Sequence, residues 1–149
     1  MTIEYVPRTL GPISIGRPSL QVALAGDEAA QSFSIVVRRP TLRDAQRTRS
    51  LLRSGTHDPA NFVVALEVEA AIAPHPASAR ASAVNTAGDD AETIRYVGTP
   101  SGLASLIHDI YVAEIADAVI IVPLDGSATA TRTREEVLPL LALKRGRVA

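Results

Sequence analysis

Runs of apolar, often β-branched residues alternate with segments of helical periodicity along almost the whole sequence. The apolar runs are continuous, which is typical of strands buried on both faces of a parallel sheet. Alternation of such strands with helices favours βαβ units, in which helices cover the sheet. The sequence therefore predicts an α/β fold. The predicted strands are 20–26, 33–37, 61–73, 93–98 and 117–124, and the predicted helices are 42–54, 77–84, 101–116 and 137–146.

The chain has 149 residues, of which 46% are hydrophobic. This length is sufficient for one domain with a substantial core and too short for two ordinary domains. We therefore expect a single domain over residues 1–149. Its first 19 residues are rich in proline and glycine, which predicts an irregular lead-in segment over 1–19.

Acidic and basic side chains nearly balance, and the formal net charge is -1. A chain without a field of one sign is not expected to bind nucleic acid. The absence of cysteine excludes disulfides, thiol nucleophiles and thiolate metal sites. No apolar run approaches the ~20 residues that cross a bilayer, and no targeting pattern is evident. We therefore expect a cytoplasmic protein with no membrane partner.

Three segments carry signals for the start of a helix. Thr41 with Asp44 and Thr133 with Glu136 have the spacing of capping boxes, and Thr99 precedes a proline, which suits the first helical position. The stretch TIRYVGTP (93–100) is compatible with a phosphate cradle, a substrate loop or a helix start. Its local chemistry favours the helix start. The segment 125–132 is predicted to be a loop.

Ligands of parallel α/β proteins bind at the carboxyl ends of the strands. Gly26, Asp27 and Glu28 follow the first predicted strand, and their backbone N–H groups suit either an anion site or an ordinary turn with a helix cap. Arg38 and Arg39 follow the second strand, where they form either a clamp for a carboxylate or phosphate or a solvated loop tip. These five residues are the predicted cofactor-binding residues.

Other catalytic and metal motifs are not evident. The sequence has neither the glycine-rich fingerprint of dinucleotide-binding folds nor a P-loop. Its three histidines, His57, His75 and His108, are scattered, so no metal site is predicted. Ser105, His108 and Asp109 imitate a triad, but their position within a predicted helix favours a solvated face. The catalytic residues are therefore not identified by the sequence.

Several segments resemble, in the same order, the C-terminal half of the bacterial luciferase-like flavin monooxygenases, in the branch of the nitrilotriacetate and dibenzothiophene-sulfone monooxygenases. The similarity extends from Gly11 to Gly146. No single motif is sufficient for this resemblance, which depends on their order. The segments are GPISIGRPSLQVALAGDEAA, RRPTLRDAQ, TIRYVGTPSGLASLIHD, ADAVIIVPL and EEVLPLLALKRG.

The resemblance implies a (β/α)8 barrel, reduced FMN and oxygen as cosubstrates, a partner flavin reductase, and oxygen insertion into a small organic substrate. It also implies that TIRYVGTP forms the strand and helix start before the last barrel strand. Asp27 and Glu28 stand where the family has a small hydroxyl residue near the flavin phosphate. Because two carboxylates repel a phosphate, the alternative function is a non-catalytic interaction or assembly module that has lost flavin binding.

The predicted strands are too few for a complete barrel, which needs eight. We therefore expect either a partial (half) TIM-like (β/α) barrel or an open parallel sheet with flanking helices. An open sheet leaves backbone groups and an apolar face unpaired. We expect a homo-oligomer, or a partner chain that covers the open sheet.

Overall fold

The computed structural model describes residues 17–84 and 92–148. Strands and helices alternate through this part of the chain, as the sequence predicts. A 3₁₀ turn at Pro59–Asn61 precedes the third strand, and a π-helical turn at Thr133–Val137 precedes the last helix. The strands are β1 (Gln21–Leu24), β2 (Ile35–Val37), β3 (Val64–Ile72), β4 (Ile94–Gly98) and β5 (Ala118–Pro123). The α-helices are α1 (Glu28–Gln31), α2 (Leu42–Arg53), α3 (Pro76–Val84), α4 (Pro100–Val112), α5 (Ser127–Arg132) and α6 (Leu138–Val148).

The five strands form one parallel sheet with the order β1-β5-β3-β2, and β4 also pairs with β3. β3 is the central strand and is nine residues long. β5 pairs with its residues Ala65 to Ala70 on one side. On the other side β2 pairs with Val64 to Leu66, and β4 pairs with Val68 to Ile72. Every other strand except β1 is therefore attached directly to β3.

The main core lies on one face of this sheet. Side chains at every second position of β3, from Val64 to Ile72, belong to it, as strand geometry requires. Residues of α2, α4 and α6 and the buried Val137 of the π turn pack against that face. The helical residues buried there include Ala45, Leu103, Ala104, Ile107, Ile110 and Leu141.

The opposite face carries smaller side chains. Ala65, Ala118 and Ile120 form a second buried cluster, which packs against Ala30, Phe33 and Val63. The next two positions of β3 on this face are Glu67 and Glu69. Glu67 forms an ion pair with Arg38, which follows β2, and Glu69 forms one with Arg95 of β4. Among the described residues, the long helices α2, α4 and α6 therefore cover only one face.

The structure confirms an α/β fold with an open parallel sheet and flanking helices. The half-barrel is not confirmed. The pairs β2–β3 and β3–β4 join consecutive strands, but β3 also pairs with β5 and β5 pairs with β1, whereas consecutive strands pair in a (β/α) barrel. None of the described helices has the length and apolar character needed to span a bilayer.

Two local predictions are wrong. The segment 125–132 is not all loop, because α5 occupies Ser127–Arg132. Thr133 does not cap a helix but lies within a continuous helical run, where its hydroxyl donates to the Thr129 carbonyl at 2.8 Å. Both errors arise because short Ser, Thr and Ala segments have weak helical signals that tertiary contacts override. The lead-in segment to residue 16 and the polar break at 85–91 lie outside the described residues.

The other two helix starts are confirmed. Thr41 accepts a hydrogen bond from the Asp44 backbone at 3.1 Å, and Thr99 accepts one from the Gly102 backbone at 3.3 Å. Tyr96 adds a further contact, because its hydroxyl donates to the Thr99 carbonyl at 3.1 Å. A Cβ atom built on Gly98 or Gly102 overlaps the Tyr96 phenol. The stretch 93–100 therefore contains strand β4 and the start of α4, and Gly98 and Gly102 leave space for the Tyr96 ring.

We predict that Gly102→Ala lowers the free energy of unfolding. Alanine normally stabilises a helix by about 0.5–1 kcal/mol relative to glycine, but here its methyl group collides with Tyr96. The same substitution in a Tyr96→Ala background should be stabilising, because the collision is removed. Urea unfolding of the four proteins in this cycle measures both effects. An equal effect of Gly102→Ala in both backgrounds would contradict the steric explanation.

Candidate functional site

The loop after β1 is held by local hydrogen bonds and one ion pair. Gly26 has a φ of 93°, a conformation that favours glycine, and the Asp27 N–H donates to the Leu24 carbonyl at 3.1 Å. The Asp27 carboxylate binds Arg134 of the π turn at 3.1 and 3.0 Å, and Glu28 begins α1, which has only four residues. Asp27 therefore has a cationic partner 107 residues away that the sequence did not indicate.

Arg38 and Arg39 follow β2 and point to different partners. Arg38 Nε donates to Glu67 Oε1 at 2.6 Å, and this hydrogen bond raises the pKa of Arg38 above its ordinary value. Arg39 donates to the Thr48 hydroxyl at 3.1 Å and to the Arg38 carbonyl at 2.9 Å. The two guanidinium groups are therefore occupied by separate contacts, and they do not form a clamp in this arrangement.

The sheet order also separates the predicted site residues. β1, which precedes Gly26, and β2, which precedes Arg38, lie on opposite sides of the β5–β3 pair. With strands ~4.8 Å apart, the two loops are roughly 14 Å apart along the sheet. The structure therefore groups Gly26, Asp27 and Glu28 at one position and Arg38 and Arg39 at another.

The loop after β5 attaches α5 to the end of β3. Asp125 Oδ1 accepts from the Thr129 backbone at 3.1 Å, and the buried Thr129 hydroxyl accepts from the Ile72 backbone at 3.0 Å. Arg132 donates to the Ile72 carbonyl at 3.0 Å. The second carboxylate oxygen of Asp125 is buried and has no hydrogen-bond partner. These contacts explain why a helix forms where the sequence predicted a loop.

Three depressions on the described surface have volumes of 460, 380 and 370 Å³. The first lies between α2 and the residues after α4, the second lies at the beginning of β2 and β3, and the third lies beside β1 and α6. None of these three is lined by the five predicted cofactor-binding residues. Since those residues lie in two separate loops and the side chains of Asp27, Arg38 and Arg39 have other partners, their arrangement does not fit FMN.

Charged residues converge instead at the amino-terminal end of β5, around Asp117. This carboxylate is fully buried and accepts from Arg17 Nε at 3.0 Å and from Arg49 Nε and Nη2 at 3.2 and 2.9 Å. It also accepts from the Val64 backbone N–H at 3.0 Å. The guanidinium of Arg17 lies 3.8 Å from the centre of the Tyr111 ring, a cation–π contact. The arrangement joins the lead-in segment, α2, β3 and β5.

The electrostatics of Asp117 follow from these contacts. Burial alone raises the pKa of a carboxyl group, but the hydrogen bonds from Arg49, the Val64 backbone and Arg17 outweigh burial, so the pKa of Asp117 is lowered. The group is therefore ionised at neutral pH and holds two cations in place. Its burial and complete hydrogen bonding make it a structural centre rather than a site open to a substrate.

Comparison with known proteins adds no family assignment, since no family model matches the sequence and no curated protein matches it significantly. In the described residues no three His, Asp or Glu side chains are grouped as metal ligands. The sequence analysis missed Arg17, Arg49 and Asp117. An aspartate directly before an apolar strand and an arginine on the buried face of a helix were the available signals.

We predict that Asp117→Asn destabilises the protein by about 3–5 kcal/mol at neutral pH, because the buried Arg49 and the partly buried Arg17 lose their counter-charge. The folded pKa of Asp117 is below its unfolded value. The carboxylate therefore stabilises the fold above the unfolded pKa of ~4, and this stabilisation is lost as the pH falls through the folded pKa. The Asn variant should lose less stability on acidification than the unmodified protein.

Urea unfolding at neutral pH and at acidic pH tests this prediction. Asp109→Asn, which changes an exposed carboxylate on α4, serves as the matched control. A loss of stability in the Asp117 variant no larger than in the Asp109 variant would contradict it.

We also predict that free FMN binds weakly to this chain and that changing Asp27 and Glu28 to serine alters its affinity little. Removing Asp27 frees Arg134, which favours a phosphate locally, but none of the three depressions on the described surface is lined by this loop to enclose the rest of the flavin. Quenching of FMN fluorescence by the unmodified and doubly substituted proteins measures both affinities. A low-micromolar dissociation constant for the unmodified protein would contradict the prediction, and a large gain in the variant would show that loop charge is the limiting factor.

Proposed function

We propose that this chain is a non-catalytic assembly module in which a second copy covers the sheet face opposite the main core. The proposal rests on one observation, which is that the long helices cover only one face of the sheet. In parallel sheets both faces are normally covered, whereas α2, α4 and α6 pack on only one face of the described sheet. On the other face of the described sheet none of these three helices packs; a small buried cluster of Ala65, Ala118 and Ile120 is covered there by Ala30, Phe33 and Val63.

The edge of that face has properties that favour association. Val36 lies on β2, at one end of the strand order, and is 43% exposed, while its neighbour Val37 is buried in the main core. Glu67 and Glu69 lie on this face and are paired with Arg38 and Arg95. An exposed apolar side chain beside two ion pairs suits an isologous contact, in which the same surface occurs on both partners.

A flavin-dependent monooxygenase of the luciferase-like family is the second candidate. It is supported by the sequence resemblance and by the parallel pairing of the consecutive strands β2 with β3 and β3 with β4, as in a (β/α) barrel. This candidate requires another chain to complete the flavin site and a reductase to supply reduced FMN. It is the second candidate because the side chains of Asp27, Arg38 and Arg39 already bind other side chains of the protein.

We predict that the unmodified chain has a solution mass at least twice its 15.7 kDa, and that Val36→Lys converts it to a monomer. A lysine at this exposed edge position is compatible with the folded monomer but places a charge in the proposed contact. Leu51→Lys is the matched control, because Leu51 is 70% exposed on α2, away from the sheet face.

Light scattering over a range of concentrations measures these masses. A monomeric unmodified protein would contradict the assembly proposal. Dissociation by Leu51→Lys but not by Val36→Lys would contradict the proposed position of the contact. FMN retained during purification would favour the monooxygenase candidate.

A further inference from the structure

The depression of 460 Å³ between α2 and the residues after α4 is distinct from the sheet face and from the carboxyl ends of the strands. Gln46 donates to the Ala113 carbonyl at 2.8 Å, and Arg49 donates to the Glu114 carbonyl at 3.1 Å. Because these two hydrogen bonds connect α2 to the end of α4, the two walls of the depression are fixed relative to each other. Its volume is within the ~300–1,000 Å³ range of small-molecule sites.

Positive charge dominates the lining of this depression. Arg43, Arg47 and Arg49 line it, together with one acidic residue, Glu114. Glu114 is partly neutralised, since its carboxylate lies 3.8 Å from Arg49 Nη1. Arg49 is itself engaged with the buried Asp117, which also binds Arg17. Arg17 and Arg49 therefore balance Asp117 and Glu114, and the excess positive charge of the lining comes from Arg43 and Arg47.

Arg43 and Arg47 differ from the other lining arginine. Neither makes a side-chain hydrogen bond or ion pair with another residue in the described part of the chain. Both are exposed, and the hydroxyl of the neighbouring Ser50 is exposed as well. Their guanidinium groups are therefore available to a ligand, unlike those of Arg38 and Arg39.

The positions of these two arginines on α2 carry an electrostatic cost, which Asp44 in the same first turn offsets only in part. Arg43 lies in the first turn of α2, where the helix dipole disfavours a cation. Arg47 follows four residues later, and like charges at this spacing repel each other on a helix surface. An anion between the two guanidinium groups removes both penalties and gains charge-assisted hydrogen bonds.

We propose that this depression binds a phosphate group, with Arg43 and Arg47 as the principal donors and the Ser50 hydroxyl as a further donor. Arginine suits this ligand because its planar fork matches two phosphate oxygens. The open volume beyond the arginines leaves room for the organic part of a phosphate monoester. The site does not depend on the proposed assembly, because its residues lie on α2 and after α4 rather than on the sheet face.

Titration of the ¹⁵N-labelled protein at constant ionic strength tests the proposal, with inorganic phosphate in one arm and glycerol 3-phosphate in the other. Saturable shifts of amides along α2 are expected in at least one arm. Tighter binding of glycerol 3-phosphate identifies an ester as the ligand, and equal binding identifies the free ion; both outcomes support the site. Glycerol alone should cause no saturable shift.

Variants distinguish binding at this site from nonspecific attraction of phosphate to a basic surface. Arg43→Gln with Arg47→Gln should weaken binding about tenfold or more, and the corresponding double lysine variant should weaken it less, because charge remains but the fork is lost. Glu114→Gln should strengthen binding. Arg80→Gln, at an exposed arginine on α3, should leave the affinity unchanged.

Melting temperatures, measured with and without phosphate, show whether the variants are folded. Without phosphate the double glutamine variant should melt at the same temperature as the unmodified protein or higher, because like charges are removed. With phosphate only the unmodified protein should be stabilised. A non-saturating response, shifts away from α2, or equal binding by the double glutamine variant would overturn the proposal.

Discussion

The buried carboxylate of Asp117 is the interaction on which the rest of the structure depends. It has hydrogen bonds to Arg17, to Arg49 and to the backbone of Val64, which lie 100, 68 and 53 residues away in the sequence. Its own backbone also pairs with Val64 and Gln21. One side chain therefore sets the position of α2 against the sheet and the relative register of β1, β3 and β5. A buried charge with so many partners tolerates few alternative arrangements, because each lost partner leaves another charge unpaired.

Much of the fold could be predicted from the sequence, because its signals are local. The apolar runs before Pro74 and after Ala116 became the two longest strands, β3 and β5, and the Thr41 and Thr99 caps began helices as predicted. The strand order could not be predicted in the same way. Pairing of β1 with β5 depends on contacts between distant segments, and no local pattern encodes them.

In the candidate site, too, the residue types could be predicted from the sequence but their long-range contacts could not. Residue types at the carboxyl ends of the strands suggested an anion site, but the side chains of Asp27, Arg38 and Arg39 have partners within the protein. Partners such as Arg134 and Glu67 come from other elements, so only the tertiary structure shows that these groups are occupied. The reverse holds for Arg43 and Arg47, which have unremarkable positions in the sequence but line a depression in the structure.

The pairing of β1 with β5 has a consequence for biosynthesis. Arg17 and β1 leave the ribosome long before Asp117, their contact 100 residues later. At ~5–20 residues per second, this interval lasts roughly 5–20 s. During that time β1 lacks the neighbour with which it pairs in the native sheet, and its apolar residues are open to chaperones or to other nascent chains. Native pairing of β1 therefore begins only when β5 has been translated.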